Sequence, residues 1–227
     1  MPKSSTLNFT QNLNTAYADF TLSDKLSVIA VSPAANGSLY ANGTVLFTAA
    51  AGTTIPATGG NTAQWTMTVS DGRILGVPTI TRMGDYVVTP TQSANPATSN
   101  SATGSGATFN LTVGIMKDIY TASTNDAVVK ALNIISTDST ARVASIWVTG
   151  SDNQPTLIGA VSVAAASGSN GTAASIDALG GTLIPSLPYD ANGKRVLPLK
   201  AGQKLSVSVP TVAAGFQINV MAFIEEY

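Results

Sequence analysis

Reactive side chains are few in this 227-residue chain. It contains neither His nor Cys. That removes the usual general base, the Ser/His/Asp arrangement, thiolate nucleophiles and the commonest transition-metal ligands together, and leaves no disulfide framework. Twelve acidic residues remain, and only Glu225 and Glu226 among them are Glu. Glycoside hydrolysis needs a carboxyl held in a partly apolar setting. Glu225 and Glu226 sit at the C-terminal end, where they read as a solvated tail, and Asp85 beside Tyr86 reads as a turn residue. Asp138, Asp152 and Asn153 could offer oxygen ligands to calcium, but the D-x-[DN]-x-[DN]-G spacing is absent and turns use the same residue types. Gly104-Ser105-Gly106 lacks the GK[ST] ending and the following helix of a phosphate loop, so it reads as a turn. No catalytic, cofactor-binding or metal-ligating residue emerges, and the expectation is a protein that is not an enzyme and carries no cofactor.

Binding surfaces are weighed in the same way. Eleven basic residues face the twelve acidic ones and no basic cluster exceeds Lys194-Arg195, which excludes the electrostatic footprint of a nucleic-acid binder. Apolar runs such as 143–148 and 220–224 are far shorter than the roughly 20 residues that span a bilayer. Asn-x-Ser/Thr triplets at Asn8, Asn36, Asn42, Asn110 and Asn170 read as chance in so Ser/Thr-rich a chain. Trp65, Tyr86, Phe109 and Trp147 could stack on sugars, but Trp65, Phe109 and Trp147 lie within strand patterns that favour core packing. Periodicity alone leaves the facing of Trp147 open between core and exposed binding residue; its size and apolar flanks favour the core.

The elements that position these residues are strands. Charged residues make up 10% of the chain, against a usual share of about a quarter, and the Glu/Lys pairs that support exposed helices are missing. Residues 1–24 read as an N-terminal arm or edge strand anchored by Leu7, Phe9, Leu13, Tyr17, Phe20 and Leu22. Strands follow at 43–48 and 65–70, and Asp71-Gly72 marks a hairpin into 73–77. After Pro78 come 79–81 and 84–88, then a small-residue stretch over 89–106 that reads as an exposed loop. The alternating strand 107–113 closes a first β-domain, 25–114. A second, 115–227, begins with a connector over 115–126 and carries strands at 127–135, 142–149, 157–163, 204–209 and 216–225, with one short helical turn expected at 176–179. The expected fold class is all-β: two small antiparallel β-sandwich or jelly-roll-like domains in tandem. The longer apolar strands of the second predict that it folds by itself from about residue 115.

The second half resembles a β-domain of structural proteins of tailed bacteriophages, through Ile119-Tyr120-Thr121, 127–134, Thr137-Asp138, 159–163 and 197–205. The first half is similar to another phage module, through 76–81, Gly84-Asp85-Tyr86 and 104–111. The resemblance implies a non-catalytic virion component, commonly a homo-oligomer and often a trimer, and the polar residues 1–6, without the apolar stretch of a signal peptide, lead to the expectation of assembly in the host cytoplasm. Its partners would be copies of itself and major capsid, neck or tail proteins, with neither nucleic acid nor membrane among them. Capsid-surface decoration or cement is the leading expectation; a neck or tail-associated adaptor or fibre is the second, and a receptor-binding lectin-like module the third.

Overall fold

The computed structural model describes residues 12–21, 23–49, 53–54, 62–88, 90–100, 103–150, 155–181 and 183–227. The fold is all-β, and every strand pairing is antiparallel.

The first half is built on a hairpin. β3 (Gly43–Thr48) pairs with β5 (Gln64–Ser70) on one side and with the short β8 (Thr98–Ser99) on the other, β5 pairs with β6 (Arg73–Arg82), and β4 (Thr53–Thr54) pairs with β7 (Tyr86–Val88). Asp71 and Gly72 adopt φ of 52° and 74°, the two left-handed residues of a tight type I′-like turn. Strand β6 continues through Pro78, because a register shift opposite Thr66 and Thr68 absorbs the residue that cannot donate to the ladder. Beneath this sheet lie β2 (Ser27–Ser38) and the N-terminal part of β9 (Ser105–Thr121). Between them Tyr40, Phe47, Trp65, Tyr86 and Phe109 form the heart of one buried cluster.

A five-stranded sheet covers the second cluster from one side: β1 (Asn12–Thr21), β16 (Gln217–Glu226) and β10 (Ala127–Ser136) in that order, with the short strands β13 (Ile176–Asp177) and β14 (Leu197–Leu199) both pairing with β10. The other layer is β12 (Pro155–Val163), β11 (Arg142–Thr149), β15 (Lys204–Val209) and the C-terminal part of β9. Inward residues alternate along β16, where Ile218, Val220, Ala222 and Ile224 are all fully buried, and in β10 a bulge between Val129 and Ala131 shifts the same alternation by one residue.

Several expectations change here. Residues 115–121 are strand rather than connector: β9 runs unbroken past Gly114, pairing with β2 before it and with β15 after it. Gly114 is required there, since a Cβ would lie 2.6 Å from the Val209 carbonyl oxygen. The helical turn at 176–179 is instead a short strand, Ile176–Asp177, pairing with β10 and followed by a turn. The stretch 89–106 is not simply an exposed loop. Asn95 is fully buried and exchanges backbone hydrogen bonds with Phe109, and Thr98–Ser99 pairs with β3. The strand β1 joins the sheet of the second half, where Ala18 and Phe20 enter its core. A fragment starting at 115 therefore lacks part of that core.

Candidate functional site

Trp147 is buried, yet it lies on the opposite face of β11 from the inward Ala144 and Ile146. Its indole Nε1 donates to Ser208 Oγ at 2.8 Å, on the outward face of β15. That face, together with the end of β6, lines a cleft of about 340 Å³ in which Ile80, Arg82, Met83 and Asp85 from the first half meet Met116, Asp118, Thr149 and Lys204 from the second. This is the place where both halves contribute polar side chains. Its charges are spent on neighbours: Lys204 lies 3.2 Å from Asp118, Ser206 donates to Asp118 at 2.7 Å, Lys25 lies 3.7 Å from Asp85, and Arg82 donates to the Thr62 carbonyl. Each of these contacts stays within one half, and among the described residues the cleft sets no nucleophile beside a base.

A second cluster surrounds Lys130, whose ammonium lies 2.8 Å from Glu225 and 3.8 Å from Asp190. Tyr227 donates to Glu225. The Glu225 carboxylate holds Lys130 above the ordinary lysine range, and in return Lys130, then Tyr227, hold Glu225 below the ordinary carboxylate range. Asp190 is lowered first by the Lys194 backbone N–H. Tyr120 donates a short hydrogen bond to Glu226; burial first, then that carboxylate, pushes the phenol up to about 12. The C-terminal glutamates are thus ladder residues with partners rather than a solvated tail. Asp126, Asp138, Asp190 and Glu225 are all held below the ordinary carboxylate range by their donors, the opposite of the direction a proton-donating carboxyl needs.

The remaining candidates that lie among the described residues have structural partners. Asp138 is fully buried and accepts from Arg142 at 2.9 Å and from the backbone N–H groups of Thr140 and Ala213. Burial pushes its carboxyl up, but these donors outweigh burial and hold it low. Asp152 and Asn153 lie outside the described residues, among which no group of three or more carboxylates is gathered for a metal. Gly104 packs against the Tyr40 ring and Gly106 adopts φ of 80° as β9 begins. Asn42, Asn110 and Asn170 each accept a backbone N–H, from Gly72, Ala94 and Thr172; Asn36 is exposed on β2, and Asn8 lies outside the described residues. Trp65, Tyr86 and Phe109 are core.

Sequence reasoning offered an arm or edge strand within residues 1–24 but did not foresee which apolar side chains face outward. Leu13, Tyr17, Val77, Val143, Leu157 and Tyr189 are all about half exposed or more. For Leu13 and Tyr17 the alternation of 13, 15 and 17 was a usable signal.

No family model matches the chain, and no curated protein matches it. A solved structure of infectious bursal disease virus, Gx strain, aligns at 12% identity over 96% of this chain and 80% of that one, with a TM-score of 0.15. A likeness that slight carries neither fold nor function across.

Proposed function

We propose that this chain is a non-enzymatic structural component of a bacteriophage particle, acting as a self-associating decoration or cement protein on the capsid surface. The observation that carries this reading is how the polar groups are used. The carboxylates with resolved partners are tied to neighbouring lysines, arginines, hydroxyls or backbone N–H groups within the chain, while large apolar side chains such as Leu13, Tyr17, Val77 and Leu157 face outward. Such a surface suits broad protein contact. The segments that resemble phage modules support the same reading.

The test is quantitative labelling of purified particles with a specific antibody. Hundreds of copies spread over the head are expected. About three to twelve copies confined to the neck or tail would replace decoration by an adaptor or fibre role, following the cyclic symmetries usual for such oligomers. Saturable binding to host glycans without binding to assembled shells would overturn both in favour of a lectin.

A further inference from the structure

We propose that β1 is a seam through which two copies of this chain join edge to edge, about a two-fold axis at Thr15, into one continuous sheet. The proposal deepens the reading of a self-associating structural protein and rests on it.

Strand β1 is the outermost strand of its sheet, and among the described residues nothing pairs with its other edge. Natural sheets blunt such edges with lysine, proline, bulges or short length. Strand β1 uses none of these: it has ten residues in register with β16 without a single bulge, and its only charge is Asp19.

The direction of its backbone groups follows from local bonds. Thr21 N–H donates to Asp24 Oδ2, and Thr21 C=O accepts from Asp24 N–H. Gln217, opposite Thr21, gives its own N–H and C=O to Thr137. The pair Thr21–Gln217 is therefore a non-hydrogen-bonded pair, and alternate residues of an antiparallel strand share that status. Residues 13, 15, 17, 19 and 21 all turn their N–H and C=O away from β16. At the C-terminal end this outer edge is closed, because the Asp19 carbonyl accepts from Lys117 and Thr21 is held by Asp24. Leu13, Thr15 and Tyr17 are left.

Those three residues are self-complementary. Centring a two-fold axis on Thr15 places Thr15 opposite its own copy and Leu13 opposite Tyr17 of the second copy, as narrow hydrogen-bonded pairs giving about six main-chain bonds. Side chains of directly opposed residues share a face, so the exposed Leu13 and Tyr17 meet in a cross-strand aromatic–aliphatic contact. Asp19 falls beyond the paired span, so no like charges oppose each other. A second copy thus satisfies parity, apolar matching and charge with no further chain. A strand pair alone buries less than the roughly 1,200 Å² of a standard interface, so the contact is weak in dilute solution and is reinforced by neighbouring contacts in an assembly.

The test uses the full chain, which has no cysteine of its own. Thr15→Cys introduces a single thiol that faces its copy at about 5.5 Å between Cα atoms, within disulfide range. Under mild oxidation it is expected to form covalent dimers at least about tenfold faster than Leu13→Cys, whose copies would lie about 14 Å apart in this register. Val77→Cys, 86% exposed on β6, gives the collisional background. At the highest soluble concentration, where the wild-type sedimentation coefficient is expected to rise with concentration, Thr15→Pro should remove that rise while leaving the circular dichroism and melting temperature of the monomer nearly unchanged, since the N–H it removes points outward. Thr15→Cys dimers no faster than the Val77→Cys background, or undiminished association of Thr15→Pro, would overturn the seam. If the wild-type chain nonetheless sediments as an oligomer, only the seam falls; if it stays monomeric and fails to bind shells, the functional reading falls with it.

Discussion

The two halves of the molecule solve the same packing problem with different materials. In the first, few large rings do the filling: Phe47 and Phe109 lie 4.9 Å apart, Trp65 meets Phe109 edge-on at 4.9 Å, and Tyr40 meets Phe47 at 5.5 Å. The phenols also close backbone gaps, as Tyr86 OH accepts from Ala63 N–H and Tyr40 OH from Ala107 N–H. The second half is filled by Ile, Val, Leu and Ala, with Phe20 the one aromatic of its buried cluster among the described residues, and its rim is stitched by ion pairs of Lys117, Lys130, Arg142, Lys200 and Lys204. Rings each bury 150–250 Å² or so and make the first half depend on a handful of positions. Aliphatic side chains spread the dependence over many, and there the sensitive points become polar: a buried carboxylate, and the edge strand that arrives from the other end of the chain.

The sharpest break in this comparison is to remove that strand. A fragment of residues 115–227 has the ladder of β10 and β16 but not Ala18, Phe20 or the Lys117 contacts with Asp24, and Lys117 is then left without the Phe20 ring beneath it. The expected result is loss of cooperative unfolding and aggregation through the bare edge of β16. A synthetic peptide of residues 12–25 should restore a cooperative transition when added. A fragment that melts cooperatively without it would make the second half self-sufficient.

That prediction reverses what the sequence suggested, and the reason is physical. Strand existence was legible wherever apolar residues alternate between turn residues, as in β5, β10 and β16, and the Asp71-Gly72 hairpin declared itself through residues that tolerate positive φ. Partnership was not legible. Nothing in 12–21 states that its ladder partner lies some 200 residues later. Strand β2 escaped because bulges beside Ile29 and Ala34 scramble its period and Pro33 and Gly37 imitate a turn. Gly114 looked like a boundary because glycine punctuates loops, whereas here it lets β9 pass close to Val209. Trp147 defeated a two-sided choice, since it is buried on the outer face of its strand, with its indole N–H on Ser208, rather than in the inward core.

A smaller effect should expose the polar dependence of the second half. The Asp138 carboxyl is held low in the folded chain, so its stabilisation is fully present above the unfolded aspartate range near pH 4 and is lost as pH falls through the lower folded value. Wild-type stability should therefore fall below about pH 4. Asp138→Asn should weaken the protein by about 2–3 kcal/mol at neutral pH, because Arg142 and two backbone donors lose their anion, with part of that cost relieved by the partial exposure of Arg142. Urea unfolding at pH 7 and pH 3 checks it: the gap between variant and wild type should narrow in acid. A constant gap would mean that the carboxyl's charge contributes nothing.

The two tryptophans give the finest test, since one sits in each half and they differ in a single bond. Trp147 Nε1 donates to Ser208 Oγ, whereas Trp65 Nε1 is buried without a partner among the described residues. Replacing either by Phe removes a ring of similar size, so the packing losses are comparable. The polar terms are not. Trp147→Phe breaks a buried hydrogen bond and strands the Ser208 hydroxyl, which is 1% exposed. Trp65→Phe removes a donor that already carried its desolvation cost, which offsets part of the lost packing. Trp147→Phe should therefore destabilise by about 1 kcal/mol more than Trp65→Phe, the typical net value of one satisfied hydrogen bond. Paired denaturant titrations with unchanged m-values would measure it. Equal losses would place a partner on Trp65 Nε1, and a larger loss at Trp65 would show that the aromatic core of the first half tolerates a change in ring shape even less well than its electrostatics suggest.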